Sequence, residues 1–223
     1  MGLLWIAVPI LLLLALAYWE LWVCEGTHLG RHFVIWMYDL AARRYDGIKQ
    51  FDTIFERRFL GEPVAAVIGS MGDALLLDVG AGTGRLARSL FQLEQVRARL
   101  VCVEASRHML QLGRAHTPEG RTRWVRGWAV PLPFPSNRFD LVASLEILEF
   151  TPRPEQTLRE MVRVLRPGGW MLVTNRIGPE ARWILGKTFR QAQFPEVLRH
   201  AGLVDVEVFP WQMDYDLAWG RKP

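Results

Sequence analysis

Asp78, the glycines that follow it and Glu104 are the residues whose types and spacing point to chemistry. Leu75-Leu76-Leu77 is an apolar run ending in Asp78, and Gly80-Ala81-Gly82-Thr83-Gly84 follows. Leu86, Ala87, Leu90 and Leu93 then fall on one side of a helical pattern. The stretch reads as a buried strand, a tight turn and a helix, the opening βα unit of a doubly wound sheet. Glycines lack a Cβ, permit positive φ and let a ligand lie directly on the backbone. The helix start behind them offers free N–H groups and a positive dipole end. Glu104 ends the next apolar run, and a carboxylate there can accept hydrogen bonds from both hydroxyls of a ribose. The spacing D-x-G-x-G-x-G departs from the nicotinamide fingerprint, because Arg85 stands where that fingerprint needs its third glycine. A Walker loop, which needs G-K-S/T, is absent from the sequence.

The elements that must position these groups alternate regularly. Strands are expected at Ala98 to Val103, Thr122 to Arg126, Phe139 to Leu145 and Trp170 to Asn175. Helices are expected from about Ser106 to Ala115, with Ser106 as N-cap, from Pro154 to Leu165, and from Pro195 to His200. Pro167-Gly168-Gly169 is read as the stop and turn between helix and strand. Leu203 to Trp211 and Tyr215 to Gly220 read as a closing antiparallel hairpin. Such alternation argues for an α/β fold, a doubly wound, Rossmann-like, mostly parallel sheet.

Four linked stretches resemble one family. They are Leu77-Asp78-Val79-Gly80-Ala81-Gly82-Thr83-Gly84, Val103-Glu104-Ala105-Ser106, Pro131-Leu132-Pro133-Phe134-Pro135 followed by Phe139-Asp140-Leu141-Val142, and Arg163-Val164-Leu165-Arg166-Pro167-Gly168-Gly169. In this order residues 75 to 175 resemble a class I S-adenosylmethionine-dependent methyltransferase, type 11-like, of the branch that includes quinone-biosynthesis and small-molecule enzymes. The resemblance implies S-adenosyl-L-methionine as cofactor. It implies that Gly80 and Gly82 line the methionine and ribose part, that Gly84 belongs to the same cofactor-binding turn and that Asp78 sits near the amino group. Glu104 takes the ribose hydroxyls, Ala105 lies near the adenine and Leu145 approaches the methyl donor. Relatives often carry Gly-Asp-Ala before the Leu-Pro-Phe element, where this chain has Gly127-Trp128-Ala129. Trp128 then stacks on the adenine or fills the space, and the backbone of Ala129 makes the edge contact. Relatives also carry Glu-His after the fourth strand, where this chain has Glu149-Phe150. Glu146, Glu149 and Asn175 are the remaining candidates for catalysis, and a cofactor-side or helix-capping carboxylate is the competing reading of the two acids. His108, His116 and His200 are read as incidental.

The N-terminal segment is of another kind. Leu3 to Val23 is nearly uninterrupted apolar sequence, with Glu20 its only charge. At ~1.5 Å per residue such a helix matches the roughly 30 Å core of a bilayer. Trp5 lies near one end and Tyr18, Trp19 and Trp22 near the other, as in interfacial aromatic belts. A signal peptide and a buried core helix are the rival readings. The first basic residues, Arg31, Arg43, Arg44 and Lys49, all follow the segment, so the positive-inside rule puts the bulk of the chain in the cytoplasm. The expected organisation is a transmembrane helix over 1–25, an amphipathic or capping region over 26–70 and a methyltransferase domain over 71–223.

Composition narrows the partners. The net charge is +4, but the basic residues are dispersed and do not form a nucleic-acid footprint. Two cysteines, Cys24 and Cys102, make no disulfide framework. No Cys/His/Asp cluster has metal-ligand spacing in the sequence, so no metal is expected. The expected function is methyl transfer to a small-molecule or lipid-like acceptor at the membrane. A degenerate, membrane-tethered interaction module is the alternative, motivated by Trp128 and Phe150. A nicotinamide oxidoreductase is disfavoured by Arg85.

Overall fold

The computed structural model describes residues 2–69 and 71–223; Met1 and Ser70, at the limits of the expected segments 1–25 and 26–70, lie outside the described residues. Helix α1 (Gly2–Tyr18) continues through one π-helical turn, Trp19–Val23. Trp5–Val23, with mean hydropathy 2.1 and only 6% of it buried, is long and apolar enough to cross a membrane by length and composition. No other helix among the described residues meets that measure.

After a turn at residues 24–30 come α2 (Arg31–Lys49), α3 (Thr53–Glu56) and α4 (Glu62–Ile68). Asp52 caps α3, its side chain accepting from the N–H groups of Ile54 and Phe55. The α/β core then runs β1 (Ala74–Val79), α5 (Arg85–Leu90), β2 (Ala98–Glu104), α6 (Arg107–His116), β3 (Thr122–Arg126), β4 (Phe139–Ser144), α7 (Pro154–Val164), β5 (Leu165–Arg176), α8 (Phe194–His200), β6 (Val204–Trp211) and β7 (Tyr215–Arg221). The described strands form one sheet in the order β3-β2-β1-β4-β5-β7-β6. β1 to β5 pair in parallel, and β7 inserts antiparallel between β5 and β6. The strand order reverses at β1, between β2 and β4, and the crevice outside such a switch point is where ligands of open α/β sheets bind.

The central strands are apolar on both faces because both faces are covered. Leu76, Leu100 and Leu141 pack on one side with Leu60, Val64, Leu86 and Leu90. Leu77, Val103, Val142 and Val173 pack on the other with Leu158, Met161, Phe194 and Leu198.

Two boundaries differ from the sequence reading by more than one residue. Helix α5 ends at Leu90, and Leu93 is buried from the following turn. Strand β5 begins at Leu165, so Pro167-Gly168-Gly169 lies inside a strand, not in a turn before one. The cause is a partner remote in sequence. Gly168 N–H donates to Lys222 O at 2.8 Å and Lys222 N–H to Gly169 O at 2.9 Å, which carries the ladder with β7 through the glycines.

Helix α2 is fastened to the core at two points. Asp39 of α2 accepts from Ser106 Oγ at 2.5 Å and from the His108 N–H at 3.0 Å, tying α2 to the start of α6. Asp46 accepts from Thr83 Oγ1 at 2.5 Å and Arg88 Nη1 at 2.7 Å, tying α2 to the glycine turn and α5.

Close packing of α6 on β3 rests on Gly113, where an added Cβ would lie 2.1 Å from Trp124 Cη2. Gly113→Ala is expected to lower unfolding stability by ~1–3 kcal/mol through overpacking, read by denaturant unfolding of the full chain in detergent micelles.

Candidate active site

The turn after β1 and the tip of β2 form the floor of a cleft. Gly80 and Ala81 N–H groups both donate to Val103 O, at 2.9 and 3.0 Å, so the turn folds back onto β2. Gly82 has φ +54, and a Cβ placed on it would meet nothing within 4 Å, so its backbone opens onto free space. Gly84 serves differently. It has φ +85, and its Cβ would strike Thr117 Cγ2 at 2.7 Å, so this glycine permits the packing of the turn on the α6–β3 connection and stays outside the two cavities described next.

A cavity of about 130 Å³ opens above this floor. Gly80, Gly82, Glu104, Ala105, Trp128, Ala129 and Leu145 line it, with Tyr38 and Tyr45 of α2 as its roof. Eight of the nine residues expected from the sequence at a cofactor site therefore meet in two adjoining cavities, since Asp78 borders a smaller one that shares Gly80, Gly82 and Leu145. Gly84 is the one outside.

The half-buried Glu104 is aimed by the backbone. Its Oε2 accepts from Gly82 N–H and its Oε1 from Ser106 N–H, both at 2.8 Å. Each oxygen keeps a second acceptor position. Burial raises the Glu104 carboxyl above its ordinary value against these donors. Asp78 is buried beside it, and burial followed by the Glu104 charge pushes its pKa up to about 7.

The catalytic candidates are held by other groups. Glu146 pairs with Arg85 Nη1 at 2.5 Å and Lys49 Nζ at 2.7 Å. Burial opposes ionisation, but these two cations outweigh it and lower the Glu146 pKa, which makes it a poor proton acceptor. Glu149 Oε1 accepts from Tyr215 Oη at 2.7 Å, Oε2 is buried without a partner among the described residues, and burial raises its pKa. Asn175 spends both ends of its amide on Phe189, donating to its O at 3.0 Å and accepting from its N–H at 3.1 Å. It thereby fixes the segment between β5 and α8.

Arg85 was missed as a structural hub. Its guanidinium makes a bidentate pair with Glu56, at 2.8 and 2.7 Å, and lies 4.5 Å over the Phe51 ring. The signal was its place at the missing third glycine. The roof residues Tyr38 and Tyr45, and Arg31 with its guanidinium 4.3 Å over Trp128, were also unassigned. The three histidines read as incidental keep clear of both cavities. The fold does gather one group the spacing did not reveal. Glu20, Cys24 and His28 bring ligand-type atoms within 4.8 Å of one another. Glu20 is already engaged by the His28 N–H and Nδ1, each at 2.9 Å.

Comparison with known proteins agrees with this geometry. Residues 77–173 match the family model of a methyltransferase domain. The ubiquinone/menaquinone biosynthesis C-methyltransferase UbiE of Hahella chejuensis is 33% identical over 141 residues, covering 61% of this chain and 57% of that protein. The protein of the same name from Shewanella sp. (strain ANA-3) is 28% identical over 169 residues, 70% of this chain and 67% of that one. The chain thus spans roughly half to two thirds of the length of the curated relatives it matches. Among solved structures, the cyclase SpnF superposes with TM-score 0.70 at 22% identity over 87% of this chain and 97% of that one. A methyltransferase from Aquifex aeolicus gives 0.57 at 16% identity over 76% and 98%. Residues 77–173 thus carry the pattern of a methyltransferase domain on the fold shared with S-adenosylmethionine-dependent methyltransferases, which implies S-adenosylmethionine as the cofactor.

Removing the hub cation should leave Glu56 buried and unpaired. Arg85→Met is expected to cost ~3–5 kcal/mol in chemical unfolding, and Glu56→Leu added to it should restore part of the loss.

Proposed function

We propose that this chain transfers the methyl group of S-adenosylmethionine to a small-molecule acceptor with an apolar body, held at the cytoplasmic face of a membrane by Trp5–Val23. The observation that carries the reading is the Glu104 carboxylate, whose two oxygens are set by Gly82 and Ser106 N–H groups and keep acceptor positions for a vicinal diol. The open backbone at Gly82 fits a ligand lying directly on it. Asp78 and its small cavity fit the cationic amino group, and Trp128, Ala105 and Ala129 form an apolar slot for the adenine.

Bound S-adenosylmethionine supplies a methyl group already activated by its sulfonium. The chain's residues then have three tasks. Gly80, Gly82 and Glu104 bind and orient, so that the acceptor meets the methyl in line. Tyr38, Tyr45 and Leu145 roof the site and exclude water. Glu146 stays ionised in its pairs with Arg85 and Lys49, and so steadies the wall without taking a proton. An acceptor that brings its own nucleophile, such as a thiolate, an amine or an electron-rich aromatic carbon, suits such a site. The relatives' names add the quinone-precursor class to that list. The segment 26–70 is on this reading a cap that covers the cofactor, and the domain proper spans 71–223.

The alternative of a degenerate module loses force from the intact Asp78, Gly82 and Glu104. The two readings separate on cofactor binding. Calorimetry on the full chain in detergent is expected to register S-adenosylmethionine binding. Glu104→Ala should weaken it ~100-fold or more, the loss of two hydrogen bonds to a charged group. No heat of binding with the unaltered chain overturns the enzyme reading.

The raised pKa of Asp78 gives a second test. A cationic ligand favours the ionised carboxylate, so below about pH 7 binding must release a proton. Affinity is expected to rise about tenfold per pH unit from pH 5.5 towards 7 and then level off. Asp78→Asn should flatten that profile.

A further inference from the structure

The loop between β5 and α8 carries exposed apolar side chains that the catalytic reading does not use. Trp183 is 53% and Leu185 66% exposed, although the backbone beneath them is fastened. Trp183 O accepts from Cys24 Sγ at 3.6 Å and Leu185 O lies 3.0 Å from His28 Nε2. Arg176, at the end of β5, adds a pair from Nη1 to Glu25 Oε1 at 2.6 Å. The loop is therefore held against the turn that immediately follows Trp5–Val23. Trp22, 73% exposed, precedes the same turn, and Leu29, 52% exposed, lies within it.

Single exposed apolar residues on a protein need no explanation. Here four of them surround the end of an apolar helix, which gives the patch a continuous neighbour. A 19-residue helix at 1.5 Å per residue fills the hydrocarbon core of a bilayer. The headgroup layer beyond it is roughly 5–8 Å deep on each side. The bonds from Cys24 and His28 hold the Trp183 and Leu185 backbone against the turn that leaves the helix end. Tryptophan is suited to that layer, since its ring is apolar and its N–H wants a polar partner. Arg182, whose guanidinium lies 5.4 Å over the Trp183 ring, brings a positive charge to where lipid phosphates lie.

We propose that Trp183 and Leu185, with Trp22 and Leu29, form a collar embedded in the headgroup layer around the emerging helix, so that the bilayer surface is the partner of this patch. The inference rests on reading Trp5–Val23 as a membrane span. It also sets the direction of the active-site cleft. Two residues beyond Leu185, Lys187 Nζ donates to Thr151 O at 2.9 Å and Pro152 O at 3.2 Å, and both residues line the main cavity. The rim of the cavity is thus pinned beside the collar, and an amphiphilic acceptor reaches it from the interface.

The test places an environment-sensitive fluorophore on single introduced cysteines of the full chain reconstituted in phosphatidylcholine–phosphatidylglycerol vesicles. The positions are Leu185→Cys, Leu13→Cys in the span and Glu94→Cys as a remote control; the native Cys24 and Cys102 are buried. Spin-labelled lipids serve as quenchers. Quenching with blue-shifted emission is expected at 13 and 185 and none at 94. Quenching at 13 without quenching at 185 overturns the collar and leaves the span. No quenching at 13 overturns the span and the collar with it, and leaves the cofactor-binding test untouched. Blue-shifted emission at 185 that lipid quenchers do not reduce overturns the collar in favour of a protein contact.

Discussion

The buried guanidinium of Arg85 is the interaction on which the rest of the site depends. Four ring and charge partners converge on it from separate parts of the chain: Glu56 of α3, Phe51 before it, Glu146 after β4 and Trp211 of β6. Burial alone would lower its pKa, and the pairs with Glu56 and Glu146 outweigh that and raise it. A charge so enclosed is tolerable only when its N–H groups are satisfied together. Helix α3, the glycine turn and the loop after β4 are therefore committed to one arrangement. In a nicotinamide-type turn the same position is a glycine that lets helix and strand approach. Here the space is filled by a side chain that binds Glu146, in the wall of the cleft, to α3 and β6.

The acids of the cleft divide by what surrounds them. Glu146 faces two cations and is held ionised, whereas burial raises both Asp78 and Glu104, the first further through the Glu104 charge and the second through that of Asp39. The result is a cleft whose free negative potential is concentrated at Asp78 and Glu104, beneath the open backbone of Gly82. A positively charged ligand with hydroxyl donors complements that distribution on both counts.

What the sequence made legible was local or repeated. The glycine turn, Glu104 at a strand tip and the alternation of strands with helices each signal within a few residues, and all recur in the structure. The linkage between the Leu-Pro-Phe and Arg-Pro-Gly-Gly stretches has a physical basis as well. Arg163 donates to Phe134 O at 2.9 Å and Leu132 O at 3.2 Å, while Glu160 accepts from the Leu132 N–H. The illegible parts depend on partners far along the chain. Nothing near Glu146 announces Lys49, nothing near Asn175 announces the Phe189 backbone, and the strand character of Pro167-Gly168-Gly169 comes from Lys222. Nothing near Asp39 or Asp46 announces Ser106, Thr83 and Arg88, the partners that fasten α2 to the core.

The turn at residues 24–30 has a mechanical consequence. Anchored enzymes often hang from a flexible tether, and the tether's length sets the volume they sample. Here Cys24, Glu25 and His28 are bonded to the core, and Gly26 N–H and His28 N–H return to Glu20 O and Oε1 at 2.8 and 2.9 Å. On the proposed membrane reading there is no slack between anchor and catalytic domain. The molecule has two lateral freedoms and one rotational, like a buoy with a rigid keel, and its encounters with acceptor reduce to a search in two dimensions.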